Sequence, residues 1–447
     1  MILFYQDRIT TALVIFLSIT LLLGGISFIT RKHRKKRFFI KSELCMLGLL
    51  FVLCVLGRFG KWINVESADS KTYSASALKK DLGQLENILF QESPLYYTDR
   101  KALKQKFEEV EQQITGDMTE EEFYRLINPL VVDVQCGHTN LSISKALQRN
   151  REEKAKFLPL DIYVQGNKLI DKETNDTIVS INGHPADKII DMLLENISHD
   201  GDNLAGAYYI LNLCFPIKYY DFIEQPEEFV IEYERSDGTK DSKVVQAAYN
   251  ETYNVNSWEI RMAQYKDIDY YSSSFSGDTA TLRIHVFMEG KRSFSKFLEE
   301  FFRQVKENQC KKVVIDVRGN FGGDPRMAKE LLSYLVSEPF QYFKSDLSLV
   351  EKIAGYGKEV VPKENSTDFE SELVIDGACF STCSHFAAIY QSLSLGKVKG
   401  DPTGGGSICT DGSKDIVLYE TGLRLHYATK VFAVNADCEK TNVVLPD

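Results

Sequence analysis

The feature that most constrains the fold is a regular alternation of short apolar strands and amphipathic helices between residues 267 and 447. The predicted strands include TATLRIHVF, KKVVIDVRG, SELVIDGA and LRLHYATKVFAV, and the predicted helices include FSKFLEEFFRQVKE, PRMAKELLSYLV and SHFAAIYQSL. Strands rich in β-branched residues that alternate with helices are typical of an α/β layer structure. The chain of 447 residues is long enough for two or three domains, so this region predicts one of them.

A helical subdomain is predicted upstream, over residues 70–155. Leucines recur there at helical spacing, with a break at ESPLYYTD between two amphipathic segments. Thr119 and Glu122 are spaced as a capping box, which predicts the start of a third helix. The fold is therefore expected to be α/β in its last part and α+β over the whole chain.

Residues 156–250 predict a small β-rich module between these two parts. Short alternating strands occur in this range, with a hairpin turn expected at Asp237-Gly238. The segment IVSINGHPADKIIDMLL, a strand, a tight turn and a helix, resembles part of PDZ domains, which bind peptide ends by adding a strand to a sheet. A generic α+β insert is the alternative interpretation.

The N-terminal residues 1–62 predict a membrane anchor. Ile9 to Thr30 has 22 residues without a charge, enough for a transmembrane helix, and a basic loop and a shorter apolar run, Leu44 to Gly57, follow. Because basic loops stay cytoplasmic, a two-helix hairpin in the cell membrane would place the large C-terminal part outside the cytoplasm. If the second run does not span, that part is cytoplasmic instead.

Charge and cysteine usage exclude several classes of function. Residues 1–62 carry a net charge of +8 and the remainder −18, so the large acidic part is not expected to bind nucleic acid. The nine cysteines show no CxxC spacing, and no zinc site or other cofactor is predicted. Disulfide pairing and oligomeric state are not indicated by the sequence.

Two strand-to-helix turns are the candidate sites of chemistry. VVIDVRGNFGGDP places Gly322 and Gly323 between a buried strand and a helix, where backbone N–H groups can face an oxyanion. LVIDGACFSTCSH places Ser381 at the second turn, followed by the N–H of Thr382 near the positive end of a helix. For either turn alone, an ordinary glycine turn or a serine N-cap is the simpler interpretation.

The segments VVIDVRGNFGGDPRMAKELLSYL, VIDGACFSTCSHFAA, VKGDPTGGG and VVLPD resemble, in order and spacing, the carboxyl-terminal processing (tail-specific) serine protease family. The resemblance covers most of residues 74–447. It implies a ClpP/crotonase-like core, Ser381 as nucleophile, and an oxyanion hole formed by Thr382 with Gly322 and Gly323. Cys379 and Cys383 are less favoured nucleophiles.

The general base is expected to be His138. The Ser/Lys branch of the family places a lysine after the Gly-Asp-x-Thr turn, but this chain reads PTGGGSICTDG there. His138, in CGHT, stands where the tricorn-like branch supplies a histidine, and imidazole titrates near neutral pH. His385 and His426 are competing bases, and a structural role for His138 at the end of a helix is the alternative.

Glu439 is the expected third residue of the triad, with Asp437 as a rival, because the family carries a carboxylate near its C-terminal Pro-Asp. Together these residues predict a membrane-anchored serine endopeptidase that hydrolyses extended or unfolded polypeptides through an acyl-enzyme. The competing hypothesis is a catalytically inactive relative that binds peptides or hydrophobic ligands.

Overall fold

The computed structural model describes residues 71–249, 268–291, 293–344, 346–363, 369–436 and 442–447, which all belong to one compact unit. The predicted membrane hairpin of residues 1–62 and the predicted triad residue Glu439 lie outside the described residues. Within those described ranges, no helix is both long and apolar enough to cross a bilayer.

The helical subdomain comprises β1 (Thr72–Tyr73), α1 (Ala75–Glu92), α2 (Arg100–Gln113), β2 (Met118–Thr119), α3 (Glu120–Val132), β3 (Asn140–Ser142) and α4 (Lys145–Lys154). The predicted capping box is confirmed, since the Glu122 N–H donates to Thr119 Oγ1 at 3.2 Å and the Thr119 N–H donates to the Glu122 carboxylate at 2.8 Å. The loop that follows α3 carries His138.

The middle module comprises β4 (Ile162–Gln165), β5 (Lys168–Asp171), β6 (Thr177–Ile181), β7 (His184–Pro185), α5 (Ala186–Leu194), α6 (Ala205–Phe222), β8 (Glu228–Glu234) and β9 (Lys240–Gln246). Its antiparallel sheet has the order β4-β5-β6-β8-β9, and β7 pairs with β6. The β8–β9 hairpin turns at Gly238 with φ +81°, as predicted. This module shares one continuous hydrophobic core with the helical subdomain.

A second hydrophobic core supports a sheet of five strands: β10 (Tyr271–Ser276), β11 (Thr279–Ile284), β12 (Lys312–Asp316), β13 (Glu370–Ile375) and β14 (Gly396–Gly400). They pair in chain order, and all but β10 are parallel. The accompanying helices are α7 (Phe294–Glu307), α8 (Pro325–Ser333), α9 (Leu349–Ile353) and α10 (Thr382–Ser392). The expected mixed α/β architecture is confirmed, while the PDZ-like character of the middle module stays a prediction.

The last strands are β15 (Ile408–Asp411), β16 (Lys414–Val417), β17 (Arg424–Tyr427) and β18 (Lys430–Ala433). The prediction of one strand over LRLHYATKVFAV was wrong, because β17 joins β16 and β3 whereas β18 joins β15. Between them the Ala428 N–H donates to Thr139 Oγ1 at 3.2 Å and the Thr429 N–H to the Asp411 carbonyl at 3.0 Å. The backbone therefore leaves one sheet and enters another.

Candidate active site

Ser381 occupies the sharp turn between β13 and α10. It is the N-cap of α10 at φ 54° and ψ −126°, and its side chain makes no capping hydrogen bond. A non-glycine residue at such angles carries backbone strain of about 1–3 kcal/mol. The Ser381 carbonyl accepts the His385 N–H at 3.0 Å and the Ser384 hydroxyl at 2.8 Å, which hold the strained turn in place. The simple N-cap interpretation therefore does not describe this serine.

The competing groups around this turn point into the core. The Sγ atoms of Cys379 and Cys383 lie 3.0 Å apart, and both residues are fully buried. His385 is 4% exposed, packs edge-on against Tyr342 and Phe343, and has its pKa lowered to about 3, mainly by burial. A histidine that stays neutral in the core has a packing role there.

The glycine-rich turn after β12 packs directly against the Ser381 turn. Thr382 Oγ1 donates to the Gly323 carbonyl at 2.7 Å, which ties the two turns together. The Gly322 N–H donates to Asn320 Oδ1 at 2.8 Å, so this predicted oxyanion donor is already engaged. Within the described ranges, the amides of Gly323 and Thr382 have no protein acceptor, and they are the two members of the predicted set that can face a substrate.

Gly322→Ala is expected to lower peptidase activity by about 100-fold or more, because active-site displacements of about 1 Å cost that much. Gly322 has φ +103°, and an added Cβ would lie 2.7 Å from the Phe380 carbonyl oxygen and 2.8 Å from the Ser381 Cβ. Cleavage of a casein substrate measures the loss. Gly277→Ala is the matched control, since Gly277 has φ +59° with nothing within 4 Å; equal losses in both variants would refute the steric explanation.

His138 reaches the Ser381 turn from the loop between α3 and β3. Its ring stacks on Phe380 with centroids 4.5 Å apart, and Gly137 passes so close that an added Cβ would lie 2.6 Å from the Phe380 ring. The His138 Nδ1 is 3.7 Å from Cys409 Sγ, and the Ser381 Oγ is 3.8 Å from the same sulfur. The structure thus brings together the serine and the histidine that the sequence singled out.

Asp411 lies on the other side of the imidazole, with its Oδ2 3.9 Å from His138 Nε2. Burial raises the pKa of Asp411. The charge of His138 and the hydrogen bonds from the Ser413 hydroxyl and N–H lower it by more than burial raises it, so the pKa of Asp411 lies below its ordinary value. A carboxylate here can orient the imidazole. The sequence assigned this role to Glu439, with Asp437 as its rival, and both lie outside the described residues.

The segment around Asp200 is hydrogen-bonded to the loop that carries His138. Asp200 is 1% exposed, and its Oδ1 accepts the Gly137 N–H at 2.8 Å. Ser198 Oγ donates to the Thr139 carbonyl at 2.6 Å on the other side of the histidine. Burial raises the pKa of Asp200 to about 7, although the Gly137 hydrogen bond opposes this shift. The position of His138 therefore depends on a buried carboxyl group.

Sequence reasoning missed Cys409, Asp411 and Asp200. The first two lie in SICTDG, which the sequence analysis considered only for its missing lysine. They are two residues apart on β15, and side chains two apart on a strand share a face, so this spacing could have linked them. Asp200 lies in an ordinary polar loop, and nothing in its local sequence distinguishes it.

The last histidine candidate, His426, lies on β17. Its side chain is 39% exposed, and its Nδ1 lies 2.8 Å from Asp415 Oδ1. This pair resembles a cross-strand surface ion pair, because the two residues are register partners on β16 and β17. Among the described residues, no three His, Cys, Asp or Glu side chains are grouped so that they could hold a metal ion.

Comparisons with known proteins identify what this chain is similar to. Residues 278–447 match the model of peptidase family S41, whereas none of the curated proteins compared matches the chain. The structure of mature CPAF complexed with lactacystin is similar at 12% identity and a TM-score of 0.60, over 83% of this chain and 93% of that one. The structure of mature CPAF is similar at 12% identity and a TM-score of 0.59, over 83% of this chain and 92% of that one. The photosystem II D1 C-terminal processing protease is similar at 11% identity and TM-score 0.44, over 83% and 92%.

The chain is accordingly a serine-type peptidase. The match to peptidase family S41 over residues 278–447 supports the expected resemblance to the carboxyl-terminal processing protease family. Assignment to the Ser/His branch of that family stays a prediction.

Proposed function

We propose that the protein is a membrane-anchored serine endopeptidase that cleaves extended or unfolded polypeptides through an acyl-enzyme. The observation that carries this proposal is the strained Ser381 at the start of α10. Its hydroxyl and the His138 imidazole both lie next to the Cys409 sulfur. A serine in such a turn presents its Oγ away from the helix, in reach of a bound carbonyl.

In the proposed reaction, His138 takes the hydroxyl proton while Ser381 Oγ attacks the peptide carbonyl carbon. The negative charge that develops on the carbonyl oxygen faces the N–H groups of Gly323 and Thr382. His138 then gives its proton to the leaving amine, and water repeats the sequence to release the acyl group. Asp411, or Glu439 in its place, stabilises the imidazolium.

The anchor and the substrate class are further parts of this proposal. They rest on the 22 uncharged residues from Ile9 to Thr30, on the basic loop that follows, and on the PDZ-like segment in the middle module. We infer a cell-membrane location with the catalytic part outside the cytoplasm. Alkaline phosphatase fused after Trp62 tests this: activity of the fusion supports the hairpin, and an inactive but stable fusion contradicts it.

The catalytic part of the proposal is tested with the full-length chain. We expect the wild type to degrade casein and to be labelled by a serine-directed fluorophosphonate, and His138→Ala to lose both activities. His426→Ala is the matched control and should keep both, because its ring pairs with Asp415. A wild-type protein that neither cuts casein nor reacts with the probe would instead support the inactive, ligand-binding relative.

A further inference from the structure

Cys409 lies at the junction between the proposed nucleophile and the proposed base. It is the second residue of β15 and is 3% exposed. Its Sγ is 3.8 Å from Ser381 Oγ and 3.7 Å from His138 Nδ1, distances that suit weak hydrogen bonds to sulfur. One side chain thus contacts both groups that must cooperate in the proposed proton transfer.

The thiol form of Cys409 is the form that can make both contacts. Burial, followed by the charges of Asp411 and Asp200, raises the pKa of this thiol well above its ordinary value, so it stays protonated. A protonated thiol donates one hydrogen bond and accepts another, and it is a poor nucleophile. Cys409 is therefore suited to hold its neighbours in place and unsuited to attack a substrate itself.

The position of Cys409 is fixed by the sheet rather than by its own side chain. In the β15–β18 pair, Cys409 stands opposite Phe432, and the adjacent Thr410 Oγ1 lies 2.7 Å from Cys136 Sγ. Strand backbone is less free to move than a loop, so the sulfur offers a rigid reference point for a histidine carried on a loop. Ser381 is held equally firmly by the hydrogen bonds to its carbonyl.

We propose that Cys409 is a positioning residue that keeps the Ser381 hydroxyl and the His138 imidazole in register. This inference rests on the proposed function of Ser381 and His138.

Two substitutions separate a positioning role from simple packing. Cys409→Ala removes the hydrogen-bonding group, and we expect kcat to fall about tenfold with KM changed less than twofold, the size of one lost hydrogen bond. Cys409→Ser keeps a donor and acceptor, and kcat should return to within about threefold of the wild type. A purely structural thiol would not be rescued by a smaller, more polar hydroxyl.

The outcomes distinguish this inference from the proposed function. A wild type that cleaves casein, combined with a fully active Cys409→Ala or with a Cys409→Ser no more active than Cys409→Ala, overturns the inference alone. A wild type without cleavage or fluorophosphonate labelling overturns the proposed function and the inference with it. If Cys409→Ala fails to fold by circular dichroism, Cys409→Ser alone decides the matter: a kcat within about threefold of the wild type supports the inference, and a larger loss overturns it.

Discussion

Ser381→Ala is expected to abolish peptidase activity, with a fall in kcat of about 10⁶-fold, because loss of a serine nucleophile removes the covalent route entirely. The variant should fold normally. Alanine adopts the same backbone angles at the same cost, and the carbonyl of residue 381 still accepts the His385 N–H and the Ser384 hydroxyl. Casein cleavage and fluorophosphonate labelling measure the effect, and Ser274→Ala, at an exposed position of β10, is the control. Retained labelling in Ser381→Ala would mean that another side chain is the nucleophile.

The same position gives a test of stored strain. Ser381 has φ 54° and ψ −126°. Glycine adopts these angles readily, whereas alanine adopts them only at an energetic cost. Ser381→Gly should therefore be more stable than Ser381→Ala by about 1 kcal/mol, although both are inactive. Urea unfolding of the two variants gives the difference directly. Equal stabilities would show that the turn is not strained in the folded protein.

Asp200→Asn is expected to change the pH dependence of the free energy of unfolding. The change is up to about 4 kcal/mol, because the pKa of Asp200 is displaced by about three units. The folded-state pKa of Asp200 is raised to about 7, chiefly by burial, whereas the unfolded value is near 3.9. The contribution of the protonated group is therefore fully present below about pH 4 and is lost as pH rises to about 7. Asparagine cannot ionise, and its side-chain oxygen can still accept the Gly137 N–H.

Urea unfolding of the full-length wild type and Asp200→Asn between pH 4 and pH 8 tests this sign. Asp200→Asn should gain on the wild type as pH rises, and the gain should level off above about pH 7. Asp202→Asn, two residues away and exposed, is the control and should follow the wild type. If the difference between wild type and Asp200→Asn is the same at every pH, Asp200 does not titrate in this range.

Local sequence patterns were sufficient for much of the fold. The capping box at Thr119 and Glu122, the hairpin at Gly238 and the strands that became β11, β12 and β13 all follow from residue spacing within one element. The two strand-to-helix turns were likewise evident, because glycine and serine at those points serve the backbone itself. The meeting of Ser381 and His138, in contrast, came from the family resemblance.

Other features depend on contacts that local patterns do not encode. Helix α6 was not predicted, because Pro216 and the irregular Cys214 interrupt it and apolar residues occur around its whole circumference. The division between β17 and β18 depends on partners almost 300 residues away, such as Thr139 for the Ala428 N–H. Asp200 and Cys409 acquire their roles only when three separate segments meet at His138.

The pairing of β17 with β3 has a consequence for synthesis. Strand β3, which follows His138, pairs with β17 (Arg424–Tyr427), and the hydrogen bond from the Ala428 N–H to Thr139 Oγ1 joins residues 289 positions apart in the chain. Contacts this distant along the chain form late, after the loop entropy of the intervening segment has been overcome. During translation, His138 is synthesised long before β17, the strand that holds the His138 loop in position. The nascent protein is therefore expected to lack proteolytic activity until nearly all of it has been made.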